Sequence, residues 1–64
     1  MQNIDELLSA LQTNDPSIQL GSLKALLGLS SWDDLHPEPF IDLLQHSSNA
    51  EVRFTAILIL EKIQ

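Results

Sequence analysis

The chain has 64 residues, no cysteine, nine acidic side chains against three basic ones, and a formal net charge of -6. That length holds one domain and lies near the lower limit for a self-sufficient core, and the missing cysteines exclude disulfides and thiol chemistry. Three scattered cations cannot neutralise a phosphate backbone, which argues against nucleic acid as a partner, and the longest apolar run, Ala56 to Leu60, is far too short for a membrane span.

Near the N-terminus, Ile4, Leu7, Leu8 and Leu11 stand at i, i+3, i+4 and i+7, one face of a helix. Asn3 precedes them and Glu6 follows three positions later, a capping box, so a first helix is expected from about residue 4 to 13. Asn3, Asp5 and Glu6 also carry the wrong charge for a secretory signal, so a soluble, cytoplasmic protein is expected. Asp15-Pro16 opens a second helix: Asp15 is a good N-cap, and Pro16 gives up an N–H that would be orphaned anyway. Ile18, Ser22, Leu26 and Leu29 form its core stripe, and it should end near Leu29. The segment SSWDDLHPEP is the one long connector, in which Ser31 and Asp34 could cap a short turn. Pro37 and Pro39 suit the first turn of a third helix, from about 37 to 46, carrying Phe40, Ile41, Leu43 and Leu44. Asn49 then caps a fourth helix whose core stripe is Val52, Ala56, Ile59, Leu60 and Ile63. No segment alternates with period two, so the chain reads as all-α.

The pattern is written twice. Residues 14–29 and 48–63 share only Leu26/Leu60 as an identity. Apolar residues nonetheless coincide at Ile18/Val52, Leu20/Phe54, Leu23/Ile57, Ala25/Ile59 and Leu29/Ile63. Each half is a helix, a tight polar bend and a second helix with a small residue at its centre, Ser22 or Ala56, and one such pair cannot bury its apolar face alone. Asn49, Val52, Arg53, Ala56 and Leu60 resemble the second helix of a HEAT repeat, as do Asp15, Ile18, Ser22 and Leu26, with Gln19 where Arg is usual. The resemblance covers essentially the whole chain. It implies two stacked antiparallel helix pairs forming a short HEAT-like α-solenoid, with repeat one at about 3–30, a connector at 30–37 and repeat two at about 37–64. The 34-residue spacing is short for HEAT repeats and is nearer the compact HEAT-like repeats of phycobilin lyases. It also equals the tetratricopeptide period, but that family wants small residues where Leu8, Leu20 and Leu27 stand.

Helix two is apolar beyond its core face. Leu20, Leu23 and Leu27 form a side stripe, and Gly21 and Gly28 lie on the opposite side. Helix four carries Phe54 and Ile57 on one flank and Thr55, Leu58 and Lys62 on the other. Either the glycines receive Phe54 and Ile57, leaving the Leu stripe open, or the Leu stripe packs on Leu58, leaving Phe54 and Ile57 open. Both leave an apolar flank, and such patches mark interfaces. Leu20, Leu23, Leu27, Phe54, Ile57 and Leu58 are therefore the candidate interface residues, for self-association as a homodimer or for a protein partner.

Chemistry of its own is not legible. Asp33, Asp34, His36 and Glu38 lack the glycine and spacing of a calcium loop, and read as a solvated connector beside Trp32, which covers the end of the core. His36 and His46 fit no zinc pattern, and the serines sit in bends, caps or core slots. Arg53 should pair with a carboxylate or carbonyl at the bend. The expectation is a non-catalytic scaffold or adaptor without metal or cofactor, as HEAT resemblance implies. The alternative is an accessory subunit of a HEAT-like enzyme such as a phycobilin lyase.

Overall fold

The computed structural model describes residues 4–63; Asn3, the expected first cap, lies outside them. Four helices follow in order: α1 (Ile4–Ala10), α2 (Pro16–Leu27), α3 (Glu38–His46) and α4 (Ala50–Ile63). No strand occurs among the described residues. The central element is α4, which packs against both α2 and α3, while α2 also packs against α1.

The helix ends follow local chemistry. Past Ala10 the chain tightens instead of stopping: the Gln12 and Thr13 N–H groups donate to Ser9 and Ala10 three residues back. The expected extension to residue 13 is thus a single turn of i→i+3 geometry, which satisfies carbonyls that a helix end leaves open. Asp15 accepts from the Ser17 N–H at 2.9 Å, and Pro16 takes the first helical position. Asn49 accepts from the Val52 N–H at 3.1 Å, while the Ser47 hydroxyl accepts from the Asn49 N–H. Pro37 is the cap of α3 and Pro39 stands in its first turn, so two N–H groups that a helix start would leave unpaired are absent.

α2 ends two residues earlier than Leu29. Its last carbonyls are taken by the Gly28 and Leu29 N–H groups and by the Trp32 indole, whose Nε1–H donates to the Leu26 carbonyl at 2.8 Å. Half-buried Trp32 thereby closes the end of α2, and Lys62 from the last turn of α4 stands over its ring, 5.6 Å from the centroid. Trp32→Phe keeps an aromatic ring there but removes the donor. It should cost about 1–2 kcal/mol in a urea titration; an unchanged midpoint would mean the indole hydrogen bond adds nothing.

The core consists of Leu7, Leu11, Leu23, Leu26, Leu35, Phe40, Leu43, Val52, Ala56 and Ile59. It corrects two sequence expectations. Ile18, placed in the core stripe of α2, is 47% exposed, whereas Leu23, placed on a side stripe, is fully buried. The two lie on opposite sides of Leu26, Leu23 about 60° and Ile18 about 80° away around the helix. A helix that touches both α1 and α4 is rotated by those contacts, and burying Leu23 turns Ile18 outward. Leu35, for which the pattern set no expectation, is also core: a turn closed by its own N–H donating to the Trp32 carbonyl drops this connector residue inward. Ser31 caps that turn through the Asp33 N–H, as expected.

Candidate interaction surface

The six candidate interface residues do not stay together. Leu23 is part of the core and cannot belong to an open flank. Leu20 and Leu27 are half-buried against the core, and Leu58 is half-buried on α4. Phe54, at 61% exposure, and Ile57, at 39%, remain on the surface. The glycines do not receive them. A side chain added at Gly21 would meet nothing within 4 Å, and one at Gly28 would meet only carbonyls of its own helix.

The open face of α4 follows from its packing. Val52, Thr55, Ala56 and Ile59 stand at i, i+3, i+4 and i+7 and are buried. Ala50, Phe54, Ile57 and Glu61 stand on the opposite side and are all exposed. Glu51 and Lys62, also exposed, lie along one edge of that face with Leu58 between them. Ala50, Glu51, Glu61 and Lys62 were not among the expected interface residues. Their signal was in the sequence, as the 4-3-4 spacing of Ala50, Phe54, Ile57 and Glu61, but it can be recognised only once the buried stripe of α4 is known.

Two bends are held alike. Gln19 Nε2 donates to the Leu11 and Thr13 carbonyls at 3.0 and 2.7 Å. Arg53 Nη1 donates to the Ser47 carbonyl at 2.8 Å, the expected carbonyl partner at the bend. Gln19–Thr13 and Arg53–Ser47 each span six residues, and each member of the second pair lies 34 positions after its counterpart. Gln19 does in the first bend what Arg53 does in the second. Arg53→Ala should lower stability by about 1.5 kcal/mol by removing a charge-assisted bond to the Ser47 carbonyl. On a chain of 64 residues that is a fall in melting temperature of about 6–12 °C by circular dichroism. No change would show that the bend holds itself.

Between these bends lies an open groove of about 430 Å³, lined by Leu11, Gln12, Asp42, Leu43, His46 and Ser47 among others. Its floor is apolar and its rim polar. His46 Nε2 lies 3.6 Å from Asp42 Oδ1, but both side chains are largely exposed, a setting in which an ion pair contributes little. Ser47 is engaged with the Asn49 backbone rather than activated by a base. Asp33, Asp34, His36 and Glu38 are all exposed, and among the described residues no three potential ligands converge to hold a metal ion. No helix among the described residues is long and apolar enough to cross a membrane.

Compared with protein-family models, with curated proteins and with solved structures, the chain matches none.

Proposed function

We propose that this chain is a non-catalytic protein–protein interaction module, built as a short HEAT-like α-solenoid of two stacked antiparallel helix pairs, and that it works through the outer face of α4. The observation that carries the functional reading is Phe54, 61% exposed beside the exposed Ile57. A phenylalanine held in water on a folded helix forgoes roughly 1.5–3 kcal/mol of burial, which a partner recovers. The repeat reading is supported by the paired bends, with Asp15 and Asn49 as caps and Gln19 and Arg53 as anchors in equivalent places. Arg53 is committed to its bend, which leaves Lys24 and Lys62 as the other cations of an acidic chain and favours protein over nucleic acid as partner.

The test is the binding of an apolar-surface dye, 8-anilinonaphthalene-1-sulfonate, to dilute protein with a fully helical circular dichroism spectrum. The native chain should enhance its fluorescence, and Phe54→Glu should remove most of that enhancement. Equal signals from the two proteins in dilute solution would show that Phe54 offers no accessible surface.

A further inference from the structure

Resting on that reading, we infer that the partner is a second copy of this chain, with the outer faces of two α4 helices packed antiparallel about a two-fold axis passing between Phe54 and Ile57. Three features of the face support this occupant. Ala50, Phe54, Ile57 and Glu61 follow a 4-3-4 spacing, the seam along which two helices interdigitate. Centred between Phe54 and Ile57, the two-fold sets Phe54 against Ile57 of the second copy and Ile57 against its Phe54. The small Ala50 then meets Glu61 at each end, where the carboxylate stays at the solvent rim.

The charges select the direction. Glu51 and Lys62 lie on the same edge, in the first and last turns of α4 and about 16 Å apart along the axis. A two-fold of this kind brings that edge against itself reversed, so Glu51 of each copy falls within reach of Lys62 of the other once that exposed ammonium turns from the Trp32 ring, 5.6 Å from whose centroid it stands in the single chain. Two opposite-charge pairs form. A parallel pairing would instead lay that edge against the opposite edge of the second copy, where Leu60 stands and Arg53 is held by the Ser47 carbonyl, so Glu51 and Lys62 would not meet. Elsewhere the surface disfavours a second copy: the connector presents Asp33, Asp34 and Glu38, all exposed, on a chain of net charge -6. The isologous contact also closes on itself, giving a dimer and not a filament. The molecule measures only 16 Å in its thinnest direction. A flat body of this kind gains its missing thickness from a second layer of helices.

Sedimentation equilibrium over a dilution series tests this, with circular dichroism to show that each variant is folded. The native chain should dimerise, and Phe54→Glu should raise the dissociation constant at least about thirty-fold. Glu51→Lys and Lys62→Glu should each weaken the dimer by about three- to ten-fold, and the double swap E51K/K62E should restore it to within about two-fold. A dimer that ignores Phe54→Glu, or a swap that fails to restore it, overturns this arrangement while leaving an interaction module. A monomer that binds the dye at Phe54 overturns self-association but keeps the reading for a foreign partner. A monomer that does not bind it overturns both.

Discussion

Phe40→Ala is expected to leave the chain largely unfolded at 25 °C. Phe40 is the largest fully buried side chain, and it enters the core from the first turn of α3. Truncating a buried phenylalanine costs about 3–5 kcal/mol, the lost transfer energy plus the cavity left behind. The whole stability of a 64-residue domain is on the order of 3–10 kcal/mol. One truncation therefore removes much or all of it, and no disulfide holds the halves together afterwards. Far-UV circular dichroism in buffer should show most of the helical signal lost, or a urea midpoint shifted close to zero. A variant that unfolds at the native midpoint would mean that α3 is not held by this side chain.

Leu23→Ala should also be strongly damaging, and it distinguishes two orientations of α2. Leu23 is fully buried, so its truncation should cost about 2–5 kcal/mol. Leu20 and Leu27, half-buried, should each cost about half as much on truncation, in proportion to the apolar area they hide. If α2 were turned as its sequence pattern suggests, Leu23 would lie on an open flank and Leu23→Ala would change association rather than stability. Urea titrations of the three variants decide this. A Leu23→Ala midpoint no lower than that of Leu20→Ala would refute the packing described for α2.

Much of this architecture was legible because local chemistry specifies it. Asp15-Pro16 and Asn49 start helices through bonds that need only their own neighbours, and both do so. Arg53 reaches the bend as expected. Leu7 and Leu11 lie on the face that their periodicity marks, since α1 has a single apolar side. The rotation of α2 was not legible, because Leu20, Leu23, Leu27, Ile18 and Leu26 leave it apolar on several sides. Periodicity then offers more than one inward face. Leu35 was hidden for another reason: an isolated apolar residue in a polar connector has no period, and only the turn at Trp32 aims it inward.

For the candidate surface the division is similar. That some apolar side chains would be left outside the core was the expectation from a pattern with too many apolar positions for one core, and Phe54 and Ile57 are exposed. Which flank they occupy could not be deduced. The sequence by itself determined that this is a four-helix, all-α chain with two similar bends, because caps, prolines and hydrophobic spacing act within a few residues. Only the tertiary structure decided that Leu23 is core and that Phe54 and Ile57 face water. That choice depends on how α2 and α4 rotate against each other, and the rotation is set by the shapes of many side chains packed at once.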